Sequence, residues 1–179
     1  MAENYINHVI GGNSRLYNSC KTLINNSIVY DRKDYLDWID NIHLLKDKLN
    51  PSINHNFLVF ASITNPFEDT EKIWSLNYEL PKILLSLANK YKVKVVTFGT
   101  ILENSEVSNM YVDSKKAYSK LLSDFDKKNY LHFRLHTLYG LGKPIEHMFL
   151  GQIYYSIKNK KSFIMSSGNQ IRQYHHYND

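Results

Sequence analysis

Cysteine is almost absent from this chain, since Cys20 carries the single thiol among 179 residues. One cysteine excludes an internal disulfide and is typical of proteins in a reducing cytoplasm. We expect it to be a small buried residue, with a reactive thiol as the alternative. Long apolar runs are missing as well: no stretch approaches the roughly 18 residues of a membrane helix. The first residues also lack the basic start and apolar stretch of a signal peptide. The sequence therefore predicts a cytoplasmic protein without a membrane partner.

Acidic residues are fewer than basic ones, 17 against 22, so the net charge is +5. A basic excess fits a solvated surface, an attraction for phosphorylated ligands, or nucleic-acid binding. The basic residues are spread along the chain, and no zinc-finger or RNA-recognition spacing occurs. We therefore expect no nucleic-acid partner. The hydrophobic content of 43% and charged content of 22% are typical of a soluble globular domain.

Apolar residues follow two alternating spacings along the chain. β-like runs lie at residues 8–10, 27–30, 57–61, 93–100 and 130–138, and helix-spaced runs at 35–49, 70–90, 109–126 and about 145–158. Strands alternating with helices predict βαβ units, and hence an α/β fold with a Rossmann-like parallel sheet flanked by helices. Right-handed crossovers place ligands at the carboxyl ends of the strands. We therefore expect Gly11, Ala61 and Thr100 at one edge of the sheet.

The spacing Tyr-x-x-x-Lys occurs five times among the 14 tyrosines and means little alone. Tyr111 and Lys115 differ because they follow a strong strand signal that ends in Thr100. Positions i and i+4 share one face of a helix. A nearby ammonium lowers the pKa of a phenol, which makes the tyrosine a usable acid or base. The alternative is a half-buried tyrosine beside an exposed lysine, with the threonine merely ending a strand.

Six segments share one order with a known family. They are residues 57–62 (FLVFAS), 74–77 (WSLN), 97–100 (TFGT), 111–115 (YVDSK), 132–140 (HFRLHTLYG) and 168–174 (GNQIRQY). In this order they resemble the extended short-chain dehydrogenase/reductase family of NAD-dependent nucleotide-sugar epimerases and dehydratases. The resemblance covers residues 57–179 well and the first 56 residues poorly. It is closest to sugar-modifying members of surface-polysaccharide pathways.

The resemblance implies hydride transfer between NAD or NADP and a nucleotide-linked sugar. It makes Tyr111 the general acid/base, while Lys115 holds the nicotinamide ribose and lowers the tyrosine pKa. Thr100 would orient the sugar hydroxyl or ketone, and Asn77 would help to organise the active site. The resemblance also implies a homodimer through the helices that carry Asn77 and Tyr111.

Two further residues are implied in substrate binding. Arg172 would approach the diphosphate of the nucleotide sugar, since a guanidinium fork suits phosphate oxygens. A surface arginine is the alternative. Tyr139 belongs to the segment that resembles the family's Arg-Leu-x-Asn-x-Tyr-Gly-Pro run. Adjacent His175 and His176 would point in opposite directions on a strand, so we expect no metal site.

The dinucleotide-binding fingerprint is incomplete. The family has Gly-x-x-Gly-x-x-Gly after the first strand, whereas residues 11–17 (GGNSRLY) place Ser14 and Tyr17 at the second and third glycine positions. A nest of backbone amides can still bind phosphate there, and an ordinary turn is the alternative. The expected diphosphate-binding residues are Gly11, Gly12, Asn13 and Ser14.

Other cofactor contacts are expected at two more strand ends. Asp31 lies 20 residues after Gly11, where an acidic residue binds the adenosine ribose of NAD. Arg32 beside it would favour the 2′-phosphate of NADP, and a surface turn is the alternative to both. Ala61 and Ser62 stand where the family's cofactor edge ends its strand.

The chain is also shorter than the family pattern. Residues 32–56 are too few for two strand–helix units, so we expect one unit to be missing. The chain stops inside the segment that leads into the substrate region, and Gln173 replaces the usual aspartate. We expect one Rossmann-like domain with a cofactor-binding core over about 1–140 and the start of a substrate region over about 141–179. A truncated or degenerate relative that keeps the fold without catalysis is the alternative.

Overall fold

A computed structural model of the chain describes residues 5–88, 90–165, 167–169 and 171–179. The chain divides into two compact units, Met1–Leu135 and His136–Asp179. The first unit contains β1 (Tyr5–Ile10), α1 (Arg15–Cys20), β2 (Ser27–Tyr30), α2 (Arg32–Asp40), α3 (His43–Lys46), β3 (Asn54–Val59), α4 (Thr70–Trp74), α5 (Leu80–Ser86), β4 (Val93–Thr100), α6 (Met110–Leu121) and β5 (Tyr130–Leu135). The second contains β6 (Thr137–Tyr139), α7 (Phe149–Lys158) and β7 (Tyr174–His176).

The first unit is built on a parallel sheet in the order β2-β1-β3-β4-β5. This confirms the predicted α/β class. β2 and β3 lie on opposite sides of β1, which creates a topological switch point at the carboxyl ends of β1 and β3. Ligands of such sheets bind in the crevice at this point. Within the described residues 5–59, β2 alone separates β1 from β3, in keeping with the expected missing unit.

The long helix expected over residues 70–90 is interrupted in its middle. A π-helical turn, Ser75–Glu79, separates α4 from α5. Pro81 is the second residue of α5 and has no N–H to donate to the carbonyl four residues earlier, so a regular ladder cannot continue there. The backbone N–H of Leu80 instead bonds the Ser75 carbonyl, five residues back. The π-helical turn directs Asn77 into the protein interior, and only 1% of the Asn77 surface is exposed.

The strand expected over residues 130–138 also divides. β5 ends at Leu135, and β6 pairs with β7 in a separate two-stranded parallel sheet. The predicted alternation within β5 is present, but its apolar residues Leu131 and Phe133 are 43% and 48% exposed. His132 of the same strand instead faces buried partners. It is hydrogen-bonded to Thr97 of β4 and to Glu103, which follows β4 in the chain.

A chain of hydrogen bonds crosses the buried face of the sheet beneath α2. The Tyr30 hydroxyl lies 2.9 Å from Nδ1 of His8, and His8 Nε2 lies 2.8 Å from Nδ1 of His55. His55 Nε2 lies 2.9 Å from the Asn50 carbonyl oxygen. A carbonyl can only accept, so His55 donates from Nε2. Burial lowers the pKa of His8 to about 4, so this imidazole is neutral at pH 7, with one ring nitrogen donating and the other accepting.

Candidate active site

Thr100 is the last residue of β4 and caps the 3₁₀ turn Ile101–Asn104 that follows. Its Oγ1 accepts a hydrogen bond from the backbone N–H of Leu102 at 3.3 Å. Its own N–H donates to Oε1 of Glu103 at 2.8 Å. The Thr100 side chain is also near enough to the phenol of Tyr111 to affect the pKa of that tyrosine. Backbone and hydroxyl of the threonine are therefore fixed from two directions.

The helix α6 brings Tyr111 and Lys115 to the same strand end. Asn109 caps this helix by accepting the N–H of Val112 at 3.0 Å. Tyr111 therefore lies in the first helical turn, with Lys115 one turn later on the same face. Nζ of Lys115 donates to the carbonyl oxygen of Phe98 in β4 at 3.0 Å, and 6% of the residue is exposed. The structure thus gathers all three residues of the predicted set beside β4.

The expected lowering of the tyrosine pKa is wrong for this structure. Burial raises the pKa of Tyr111 to about 12, against a smaller opposing effect of the Thr100 side chain. Burial also lowers the pKa of Lys115 to about 8, because an ammonium loses its hydration there. The charge of Glu103 raises both pKa values, so it adds to the effect of burial at Tyr111 and opposes it at Lys115. At pH 7 the phenol is protonated and the lysine mostly charged.

Asn77 joins the loop after β3 to helix α6. Its Oδ1 accepts from Ser62 Oγ at 2.9 Å and from the backbone N–H of Ile63 at 3.0 Å. Its Nδ2 donates to the Ile63 carbonyl at 2.9 Å and to Ser114 Oγ at 3.1 Å. Ser114 in turn donates to the Tyr111 carbonyl at 2.7 Å. All four hydrogen-bonding positions of the amide are used, so Asn77 acts as a clamp between two parts of the site.

At the switch point, the backbone at the end of β1 packs closely against the backbone that follows β3. The carbonyl of Ile10 accepts hydrogen bonds from the backbone N–H groups of Phe60 and Ala61, at 2.8 and 2.9 Å. Gly11 has a φ of +92°, and a Cβ there would overlap the backbone of Ala61. Glycine is therefore required at this position for conformation and for space. The expected cofactor edge brings Gly11 and Ala61 together.

The rest of the fingerprint departs from a glycine-lined turn. Ser14 caps α1 by accepting the N–H of Tyr17 at 3.0 Å. The Tyr17 ring packs against that of Phe60, with centroids 5.4 Å apart. An aromatic contact therefore stands where the family's third glycine allows close packing of helix and sheet. In the turn between β1 and α1, Gly12 is half-buried and Asn13 is exposed.

Asp31 and Arg32 lie at the start of α2. Asp31 accepts the N–H of Asp34 at 3.0 Å, and the Asp34 carboxylate accepts the N–H of Asp31 at 3.2 Å, which forms a capping box. Arg32 is the first residue of the helix and is exposed. Asp31 thus has a structural role as a cap, and its second carboxylate oxygen is left for a ribose. Its part in cofactor binding stays a prediction.

The donors at the carboxyl edge fit the nicotinamide half of a dinucleotide. One of the three N–H groups of Lys115 binds Phe98, so two are left for ribose hydroxyls. Thr100 and Tyr111 supply a hydroxyl and a phenol beside them. The diphosphate half is matched in part, by the left-handed turn at Gly11 and by its approach to Ala61.

Tyr139 and Arg172 belong to the second unit. Tyr139 lies in β6, where its ring packs edge-on against His176 with centroids 5.2 Å apart. Arg172 lies between α7 and β7 and is exposed. Their proposed contacts with substrate stay predictions.

A buried acid next to Thr100, Glu103, was not among the predicted site residues. The Glu103 side chain is 1% exposed; it is hydrogen-bonded to Nε2 of His132 and forms an ion pair with Arg134, both at 3.0 Å and both from β5. The spacing Thr-x-x-Glu is that of a capping box, so this pattern was available in the sequence. The partners on β5 were not, because no local pattern pairs a loop with a strand 29 residues away.

The chain resembles solved structures of nucleotide-sugar enzymes. dTDP-4-dehydrorhamnose reductase from Yersinia enterocolitica superposes with a TM-score of 0.67 and 17% identity, over 88% of this chain and 61% of that one. For ADP-L-glycero-D-manno-heptose-6-epimerase from Helicobacter pylori the TM-score is 0.66 and the identity 14%, over 98% and 70% of the two chains. This chain shares the Rossmann-like fold of these structures. It spans 61% of the length of the Yersinia enzyme.

A third similar structure contains a cofactor. GDP-L-fucose synthetase from Naegleria fowleri, bound to NADP, superposes with a TM-score of 0.61 and 14% identity, over 99% of this chain and 66% of that one. No protein-family model and no curated protein matches the sequence. Among the described helices, none has the length and apolar character needed to span a membrane.

Proposed function

We propose that the chain binds NAD or NADP at the carboxyl edge of the sheet and transfers hydride to or from a nucleotide-linked sugar. The observation that carries the proposal is the meeting of Thr100, Tyr111 and Lys115 at the end of β4. This edge lies next to the switch point, where doubly wound sheets bind ligands. The fold shared with nucleotide-sugar reductases and epimerases supports the same reaction class.

Each residue of the set has a separate task. Lys115 holds the nicotinamide ribose with its two spare N–H groups, and Thr100 hydrogen-bonds the reacting sugar oxygen. The bound nicotinamide supplies or accepts the hydride. Tyr111 moves the accompanying proton: it donates to the sugar oxygen when a ketone is reduced and accepts it back when a carbinol is oxidised. A tyrosine pKa of about 12 keeps the phenol protonated at neutral pH, which suits ketone reduction.

The other predicted residues have proposed roles in binding the cofactor and the substrate. The turn of Gly11, Gly12, Asn13 and Ser14 would hold the diphosphate, and Ala61 and Ser62 would border the cofactor. Asp31 would bind the adenosine ribose, or Arg32 its 2′-phosphate. Arg172 and Tyr139 would contact the nucleotide sugar. The chain would also form a homodimer, and light scattering of the purified protein would test this.

A non-catalytic relative is the second candidate. The observation in its favour is the packing of Tyr17 on Phe60 at the fingerprint, together with a capping role for Asp31. Such a protein would keep the fold and at most bind a nucleotide.

The experiment begins with cofactor binding. NADPH and NADH fluorescence are titrated with the purified protein, and we expect a change at micromolar concentrations. Absence of binding up to millimolar concentration would remove the enzyme proposal and favour the non-catalytic relative.

Turnover is tested next by NADPH absorbance, with a panel of nucleotide-linked 4-keto sugars. Tyr111→Phe should abolish turnover and leave NADPH binding within about twofold, since the phenol moves the proton and does not hold the cofactor. Tyr154→Phe is the matched control, because this tyrosine also precedes a lysine by four residues. Equal turnover of Tyr111→Phe and the unmodified protein would contradict the assigned role.

A further inference from the structure

Glu103 is a buried anion that takes no part in the proposed proton transfer. Its Oε1 accepts the backbone N–H of Thr100 at 2.8 Å. Its Oε2 accepts from Nε2 of His132 and from Nε of Arg134, both at 3.0 Å. Burial alone would raise the pKa of this carboxyl, but the three hydrogen bonds hold the pKa below its usual value. The carboxylate is therefore charged at neutral pH and fully engaged.

Gly99 provides the space for this carboxylate. A Cβ on Gly99 would overlap Oε1 of Glu103 and would lie 2.5 Å from Nε2 of His132. The glycine before the active-site threonine is thus needed so that the glutamate can fold back across the strand. The end of β4 and the Glu103 side chain therefore pack closely against each other.

The far side of the network reaches helix α6. His132 donates from Nε2 to the carboxylate, and its Nδ1 lies 2.8 Å from the Thr97 hydroxyl. Arg134 extends past Glu103, and its Nη2 donates to Ser119 Oγ at 2.8 Å. Ser119 lies on the helix that carries Tyr111 and Lys115. One carboxylate therefore connects the ends of β4 and β5 with α6.

We infer that Glu103 is a positioning residue, which fixes Thr100 so that its hydroxyl is directed at Tyr111. The catalytic meaning of this role rests on the proposed hydride transfer. The carboxylate accepts three hydrogen bonds, whereas a glutamine amide offers one oxygen and turns N–H groups toward the donors of His132 and Arg134. Charge and shape are both required, so Glu103→Gln is expected to release Thr100.

The first test uses NMR of the isotope-labelled protein without cofactor or substrate. In the unmodified protein, the amide proton of Thr100 should shift as Glu103 is protonated, with a midpoint below the ordinary range of a glutamate. Glu103→Gln should move this proton upfield and let the Thr100 side chain populate more than one χ1 rotamer. Glu106→Gln, an exposed acid three residues later, is the control and should change neither signal. An amide proton of Thr100 that does not titrate would overturn the inference even if Glu103→Gln fails to fold.

The second test separates this role from the proposed reaction. With a nucleotide-linked 4-keto sugar and NADPH, Glu103→Gln should lower kcat by about tenfold to a hundredfold, the effect of a misplaced catalytic group, while KM and the Kd for NADPH stay within about twofold. An unchanged kcat, together with an inactive Tyr111→Phe, would refute the inference and leave the reaction standing. If the unmodified protein turns over no sugar, the proposed function fails, and the NMR signals of Thr100 still decide what Glu103 does.

Discussion

His8 should make the folded state sensitive to acid well above the range in which carboxylates titrate. The imidazole is 1% exposed, and both of its nitrogens are engaged in the neutral form. Burial, with a smaller contribution from His55, lowers its pKa from 6.5 to about 4. Between these two values the unfolded chain binds a proton at residue 8 that the folded chain does not. Stability is therefore fully present above pH 6.5 and decreases as the pH falls toward 4.

The size of the effect follows from the two pKa values. A difference of about 2.5 pKa units corresponds to about 3 kcal/mol of unfolding free energy once the pH lies below both. About 2 kcal/mol of this should be lost between pH 7 and pH 5, where aspartates and glutamates remain mostly ionised. For a domain with a total stability of about 5–15 kcal/mol, such a loss is easily measured.

Urea unfolding at pH 7, 6 and 5, followed by circular dichroism, provides the assay. His8→Gln should remove most of the pH dependence, because the buried titrating group is gone. His43→Gln is the matched control, since His43 is exposed and should leave the dependence unchanged. Equal unfolding free energies of the unmodified protein at pH 7 and pH 5 would refute a neutral, buried His8. So would a His8→Gln variant with the same pH dependence as the unmodified protein.

Three further predictions concern the candidate site. Lys115→Met should raise the unfolding free energy at pH 7 by about 2 kcal/mol, because burial disfavours the ammonium, and should weaken NADPH binding; a lower melting temperature would contradict this. Asn77→Ala should lower the unfolding free energy in urea by about 2–4 kcal/mol, since both backbone groups of Ile63 lose their partner, while exposed Asn104→Ala should stay within about 0.5 kcal/mol. Gly99→Ala should lower the melting temperature and displace Glu103, as seen by the loss of the low-field Thr100 amide signal; an unchanged signal would contradict the packing described here.

The sheet could be predicted from the sequence because its strands are strong local signals. Residues 93–100 form a strand with the predicted bounds, as do residues 27–30. The meeting of Thr100, Tyr111 and Lys115 was also predictable, since it needs one strand, one helix and the rule that ligands bind at carboxyl ends. Local sequence patterns were sufficient to predict contacts between residues that lie close together in the sequence.

Other features depend on partners that sequence patterns do not reveal. The pattern of residues 70–90 indicates a helix, but its π-helical turn is set by a proline and by an asparagine that bonds two distant segments. The buried side of β5 was not evident, because it carries the polar His132, whose hydrogen-bond partners are Thr97 and Glu103. The shift of the Tyr111 pKa is opposite to the predicted one because desolvation, which depends on the packed structure, is its largest cause.

Within the part of the chain that the structure describes, the hydrogen-bond partners that anchor the candidate catalytic residues lie in Met1–Leu135. Asn109 fixes the start of α6, Asn77 fastens that helix to the loop after β3, and Glu103 holds Thr100. None of these hydrogen bonds involves the second unit, which carries Tyr139 and Arg172. The geometry around Thr100 therefore depends on the sheet and α6, whereas recognition of a sugar nucleotide would depend on residues outside them. We expect cofactor binding and sugar turnover to be separable: Arg172→Ala should raise the KM for the nucleotide sugar and leave the Kd for NADPH unchanged.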